Sequence, residues 1–183
     1  MKYAIGPRRE MAVRTVFNIL GPLTNPAGAR RQLMGVFRED LTDKLGRVLQ
    51  KLGAERALVV HGHDGLDEIS VTAETTLTDV TPEKVETRRV APEDMELGRW
   101  SLEELVVSDA EEAAGAMRAV LAGEEGARRD VVLANAGAAA VVAGKAADLR
   151  EGARLAAASI DEGKAAAALE RLVEISNSAA SEP

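Results

Sequence analysis

The sequence predicts an α/β domain, a mostly parallel sheet flanked by helices. Three observations carry that prediction. Apolar runs at residues 32–37 and 56–60 enclose a segment whose leucines and valines recur at helical spacing, a β-α-β order. A loop punctuated by Gly62 and Gly65 follows the second run, the place where ligands of open α/β sheets sit. From Ser108 onward the apolar pattern is helical to the end of the chain.

Taken in order, residues 1–20 hold a basic cluster (Lys2, Arg8, Arg9, Arg14), and Val13, Phe17 and Leu20 fall at helical spacing. Gly21-Pro22-Leu23-Thr24-Asn25-Pro26 stops any helix, because proline removes a backbone donor and restricts the residue before it. Such a loop has a fixed path; it is either a rigid connector or a wall whose backbone groups face a ligand. Residues 32–37 read as a short buried strand. Leu41, Leu45, Val48, Leu49 and Leu52 then mark one face of a helix closed by Gly53 at the C′ position. Residues 56–60 form the next strand, and the order implies a parallel pair with a right-handed crossover.

Residues 77–81 and 85–90 alternate around Pro82 and read as strands, a hairpin near the sheet edge. Residues 91–107, with Trp100, read as loop and short turns. Ser108 and Glu111 match an S-x-x-E capping box that opens a helix through Leu121, ended by Gly123. Residues 131–143 are Ala-rich and apolar nearly all round, which predicts a buried helix. Helices over 148–161 and 164–175 follow, parted by Gly163, and residues 179–183 read as a frayed tail.

Composition narrows the function classes. The chain has 183 residues, no cysteine and two histidines, so disulfides and thiolate metal sites are excluded and a His-rich zinc site is disfavoured. A formal net charge of −7 speaks against a general nucleic-acid binder, and one Trp, one Tyr and two Phe leave few stacking platforms for single strands. No run of 18 apolar residues and no signal-peptide pattern is visible, which predicts a cytoplasmic protein without a membrane partner.

The stretch with the most chemistry is Val59-Val60-His61-Gly62-His63-Asp64-Gly65-Leu66-Asp67-Glu68-Ile69-Ser70. An apolar strand runs into a glycine loop that carries two adjacent carboxylates, Asp67 and Glu68. Such a pair suits Mg²⁺, which takes one or two carboxylates and completes its shell with water and substrate phosphates. The plainer reading of an isolated Asp-Glu pair is a solvated acidic turn. His61 and His63 read first as loop or strand-end histidines.

The run Arg14-Thr15-Val16-Phe17-Asn18-Ile19-Leu20-Gly21-Pro22-Leu23-Thr24-Asn25-Pro26 resembles the signature of the anthranilate phosphoribosyltransferases. The loop HGHDGLDEIS, Asn135-Ala136-Gly137 at an expected helix start, and the closing Ala-Ser-Ile-Asp-Glu-Gly-Lys-Ala segment resemble that family too, in its order. The resemblance implies the large domain of the nucleoside phosphorylase/phosphoribosyltransferase fold over residues 1–178. It also implies transfer of the 5-phosphoribosyl group of phosphoribosyl pyrophosphate (PRPP) to the amine of anthranilate, in tryptophan biosynthesis. By position it implies Asp67 and Glu68 as the Mg²⁺ pair, Arg8 as the anthranilate-binding arginine, and Gly21 and Pro22 as the turn lining the anthranilate channel. Pro7 and Ala12 stand where the family more usually has other residues.

An arginine grips a carboxylate through charge-assisted hydrogen bonds, and an aromatic amine needs no strong side-chain base to attack. No nucleophile is therefore assigned. The family's N-terminal helical domain, through which it forms homodimers, and its glycine-rich phosphate loop have no counterpart in these residues. The expectation is a domain truncated at its N-terminus and inactive alone. The rival readings are a pyrimidine nucleoside phosphorylase-like enzyme, and a noncatalytic domain that binds an aromatic acid or pairs with another chain.

Overall fold

The computed structural model describes Gly21, Leu23, Thr24 and residues 27–179. Arg8, Pro22, the helical spacing of residues 1–20 and the last four residues of the expected tail lie outside the described residues. Four strands, β1 (Arg31–Gly35), β2 (Arg56–Gly62), β3 (Thr75–Val80) and β4 (Val85–Val90), form one sheet in the order β1-β2-β3-β4. Helix α1 (Leu41–Lys51) joins β1 to β2. Helices α2 (Ala110–Leu121), α3 (Ala127–Val142), α4 (Leu149–Asp161) and α5 (Lys164–Ala179) follow the sheet.

The α/β class is as expected, but the sheet is mixed rather than mostly parallel among the described residues. β1 and β2 are parallel, with Arg31 opposite Arg56, whereas β3 runs antiparallel to β2 and β4 antiparallel to β3. The reason is local: no helix separates β2 from β3, so the chain returns without a crossover. The hairpin around Pro82 forms as expected, closed by Thr81 N–H donating to the Lys84 carbonyl at 2.8 Å.

The period-two pattern of β2 splits the core between two faces. Leu58 and Val60 point to the helical layer with Ile69, Val71, Leu133, Ala134 and Ala138; Ala57 and Val59 point to α1 with Leu45 and Leu49. Burying β2 on both faces gives the continuous apolar run that the sequence shows. β4 is the exposed strand of the sheet, and its Glu86, Arg88 and Arg89 put charge on that edge, which discourages pairing with other chains.

Three helical expectations shift. α2 is capped by Asp109, not Ser108: the Asp109 carboxylate accepts from the Glu112 N–H at 2.8 Å, and the Glu112 carboxylate takes both the N–H and the hydroxyl of Ser108. Two good capping residues stand side by side, and the aspartate wins with Glu112 three residues on. α3 begins at Ala127 and is not buried all round, since Val132, Ala136 and Ala139 are exposed. Asn135-Ala136-Gly137 therefore lies inside this helix and not at its start. α5 runs on through Ala179, past the expected end at residue 175.

Candidate active site at the carboxyl ends of the parallel strands

β1 and β2 run in the same direction, so their carboxyl ends share one edge of the domain. Val36 N–H extends their ladder to the Val60 carbonyl at 2.9 Å. The chain leaving β2 there makes a 12-residue excursion, 63–74, before entering β3. Asp67 and Glu68 sit at the middle of that excursion and are both exposed, while Ile69, Ser70 and Val71 directly after them are buried.

The loop is stitched at every turn. Gly62 N–H donates to the Leu66 carbonyl at 2.8 Å and Gly65 N–H to the Gly62 carbonyl at 2.9 Å, a reversal that Gly65 permits with its φ of 97°. Asp64 anchors the two limbs: its carboxylate accepts from the Leu66 N–H at 3.1 Å and from the hydroxyls of Ser70 and Thr72. Burial pushes the Asp64 carboxyl up, but the Ser70 and Thr72 hydroxyls and the Leu66 N–H outweigh it and hold the group below its ordinary value. Ser70 Oγ in turn accepts from the N–H groups of Thr72 (2.9 Å) and Ala73 (3.1 Å).

The three peptide planes around the carboxylate pair are each confined. The Leu66–Asp67 plane is held by Gly62 N–H. The Asp67 carbonyl rests against Gly35 at the end of β1, where a Cβ would stand 1.6 Å from the oxygen. The Glu68–Ile69 plane is held from α3: Asn135 Oδ1 accepts the Ile69 N–H at 2.9 Å, while Asn135 Nδ2 donates to the carbonyls of Ile69 and Val131, each at 2.9 Å. Each contact removes rotational freedom from a planar peptide unit, so the backbone from which the two carboxylates depart is restrained on both sides of the pair. Neither carboxylate makes a hydrogen bond or ion pair with any of the described residues.

The histidines have local partners. His61 Nδ1–H donates to the Val36 carbonyl at 2.8 Å, since a carbonyl can only accept. His63 Nε2 lies 2.8 Å from the Thr76 hydroxyl, which donates to Glu39 Oε1 at 2.9 Å. Both rings thus tie the strand ends together. Of the residues singled out in the sequence, Gly21 accepts a hydrogen bond from Thr24 N–H at 3.3 Å. Asn135, Asp64 and Gly35 were not singled out as site residues. An amide in an Ala-rich helix and a glycine inside a strand are the signals that point to them. A cavity of about 290 Å³ beside Trp100, Arg128 and Arg129 touches neither carboxylate.

A family model described as "Glycosyl transferase family, a/b domain" matches residues 1–166. The chain belongs to this family. Among curated family members it is 54% identical over 179 residues to the anthranilate phosphoribosyltransferase of Geobacter sp. (strain M21), covering 98% of this chain and 51% of that protein. It is 52% identical over 177 residues to the enzyme of that name from Rubrobacter xylanophilus, covering 96% and 52%. The chain thus spans about half the length of the relatives it matches. The crystal structure of anthranilate phosphoribosyltransferase from Thermus thermophilus superposes with a TM-score of 0.86 at 41% identity, covering 95% of this chain and 51% of that one. The Saccharomyces cerevisiae anthranilate phosphoribosyltransferase in complex with PRPP and Mg superposes at 0.80 with 26% identity, covering 91% and 48%.

Proposed function

We propose that this chain carries the metal-holding and acceptor-side portion of an anthranilate phosphoribosyltransferase, which moves the 5-phosphoribosyl group of PRPP onto the amine of anthranilate. The observation that carries this reading is the Asp67–Glu68 pair, two exposed carboxylates free of protein partners among the described residues, on a braced loop at the carboxyl ends of parallel strands. The names of the relatives and the PRPP and Mg of the yeast neighbour point the same way.

Mg²⁺ fits the residues present. The donors are hard oxygens without a hydrogen-bond or ion-pair partner among the described residues. No group of three or more acidic or histidine side chains able to hold a metal gathers among the described residues. The described residues therefore offer a pair, and water and substrate phosphates would complete the shell, which is the habit of Mg²⁺. When bound, the ion neutralises charge developing on the departing pyrophosphate. Asp67 and Glu68 would hold it from a restrained backbone, and preorganised electrostatics of that kind lowers a barrier. By resemblance, Arg8 grips the anthranilate carboxylate beside the Gly21-Pro22 turn, so that the amine faces the anomeric carbon. The same resemblance supports a cytoplasmic homodimer.

The test is consumption of anthranilate, followed by its fluorescence, with PRPP and Mg²⁺ present. The 183-residue chain is assayed alone and mixed with the N-terminal half of the Geobacter relative. The expected result is Mg²⁺-dependent turnover in the mixture and little by the chain alone, because none of its glycine-containing loops resembles the family's phosphate loop. A mixture that leaves anthranilate untouched but cleaves pyrimidine nucleosides with phosphate would overturn the reading.

A further inference from the structure

We infer that Asn135, a helix residue remote in sequence from the carboxylates, is the positioning residue of the Asp67–Glu68 pair; the inference rests on the metal reading above. Asparagine is disfavoured inside helices, where its side chain competes with the backbone, and this one stands nine residues into α3. Its amide is half-buried and nearly saturated, accepting from Ile69 N–H and donating to the carbonyls of Ile69 and Val131. Only the Val131 bond is internal to the helix. The other two reach across to a single residue, the one that follows Glu68.

That choice of partner sets the consequence. The Ile69 N–H belongs to the Glu68–Ile69 peptide plane and the Ile69 carbonyl to the Ile69–Ser70 plane, so Asn135 holds both planes that flank Ile69. Gly35 confines the Asp67–Glu68 plane. Between these supports the backbone rotations of Glu68 are limited, which restrains the Cα–Cβ direction from which its side chain departs. Without Asn135, the Glu68–Ile69 plane loses its only anchor among the hydrogen bonds found at the described residues, while the Asp64 clasp on Ser70 and Thr72 still closes the loop. The loop would stay folded and the backbone that carries the carboxylates would lose its restraint. Groups that orient metal-binding side chains typically cost about 10- to 100-fold in metal affinity when removed.

The experiment is Mn²⁺ binding to the 183-residue chain in the presence of pyrophosphate, read by electron paramagnetic resonance. Thermal unfolding and amide exchange of Ile69 are measured on the same samples. The proteins are the wild type, the D67N/E68Q double variant, Asn135→Asp and Asn135→Ala. Asn135→Asp keeps the acceptor for Ile69 N–H but loses the donor to its carbonyl; Asn135→Ala loses both. The expected result is that D67N/E68Q abolishes specific uptake, while Asn135→Ala stays folded, exposes Ile69 to faster exchange and binds Mn²⁺ about tenfold more weakly, and Asn135→Asp, which keeps the bond to the Ile69 N–H, stays folded and falls between Asn135→Ala and the wild type. Binding by both Asn135 variants within twofold of the wild type would overturn this inference and leave the metal reading standing. Unfolding of both variants would overturn it too, by assigning Asn135 to the fold. Equal uptake by the wild type and D67N/E68Q would remove the metal reading and this inference together.

Discussion

The Cα of Gly35 lies against the carbonyl oxygen of Asp67, so closely that a Cβ built on Gly35 would stand 1.6 Å from it. The last residue of β1 and the first carboxylate of the Asp67–Glu68 pair are 32 positions apart in sequence, yet they share one contact surface. Only glycine fits there, and the loop can approach the parallel strands only because it is glycine.

Gly35→Ala should therefore act on the site before it acts on the fold. The clash is with backbone, which cannot rotate away, so the Asp67–Glu68 peptide must move. Overpacking of this kind costs about 1–3 kcal/mol, read as a lower urea midpoint. Mn²⁺ uptake should fall along with it, and retention of wild-type uptake would show that Gly35 does not set the pair's position.

A second close approach joins α3 and α4. A Cβ on Gly152 would lie 2.3 Å from the Gly137 carbonyl oxygen, and one on Gly137 would lie 2.5 Å from the Ala153 nitrogen. Gly152→Ala should force the helices apart and destabilise the chain by about 1–3 kcal/mol. Gly115, exposed in α2 with nothing near its missing Cβ, is the contrast. Gly115→Ala should stabilise by about 0.5–1 kcal/mol, because alanine removes the entropy cost of glycine in a helix. Urea unfolding of the two variants checks both signs.

Asp64 makes the loop sensitive to acid. Its carboxyl is held below the ordinary value although burial pushes it up, because the Ser70 and Thr72 hydroxyls and the Leu66 N–H favour the charged form. A depressed folded value means that the stabilisation is present above about pH 3.9, the unfolded value, and is lost as pH falls through the folded value. Asp64→Asn should be less stable than the wild type by about 1–3 kcal/mol near neutral pH. The difference should shrink on going to about pH 3, and urea midpoints at the two pH values measure it. A difference that does not change with pH would show that the carboxylate charge is not what closes the loop.

The sequence made the β-α-β unit legible because its periods are clean: Leu45 and Leu49 at helical spacing, Ala57 to Val60 buried on both faces. It also placed Asp67 and Glu68 in a loop beyond a strand, since Gly62 and Gly65 announce one. The antiparallel return of β3 was not legible, because a 12-residue connection allows either direction and Leu77 or Val80 carries no sign of which way its strand runs. The roles of Asn135 and Gly35 were hidden for a different reason. Each acts on backbone atoms far away in sequence: an amide in an Ala-rich helix or a glycine in a strand marks an unusual position, but not the partner it holds.

The acceptor side is tested by Arg8→Ala, with Arg9→Ala as its neighbour control. Loss of a charge-assisted bond to a carboxylate is worth roughly 1.5–3 kcal/mol, about 10- to 150-fold in affinity. Anthranilate binding, followed by its fluorescence, should weaken by that factor in Arg8→Ala and change little in Arg9→Ala, the neighbour to which the resemblance assigns no role. Equal effects of the two would assign Arg8 to general structure.

The most direct measurement of the central claim is the Mg²⁺ dependence of phosphoribosyl transfer in the reconstituted mixture, wild type against D67N/E68Q. If these two carboxylates hold the ion that neutralises the departing pyrophosphate, the double variant should lose about 100-fold or more of the Mg²⁺-dependent rate, a few kcal/mol of transition-state stabilisation. Its unfolding midpoint should stay close to that of the wild type, because neither side chain bonds to the described residues. A double variant that turns over anthranilate at the wild-type rate, with the same Mg²⁺ dependence, would contradict the account.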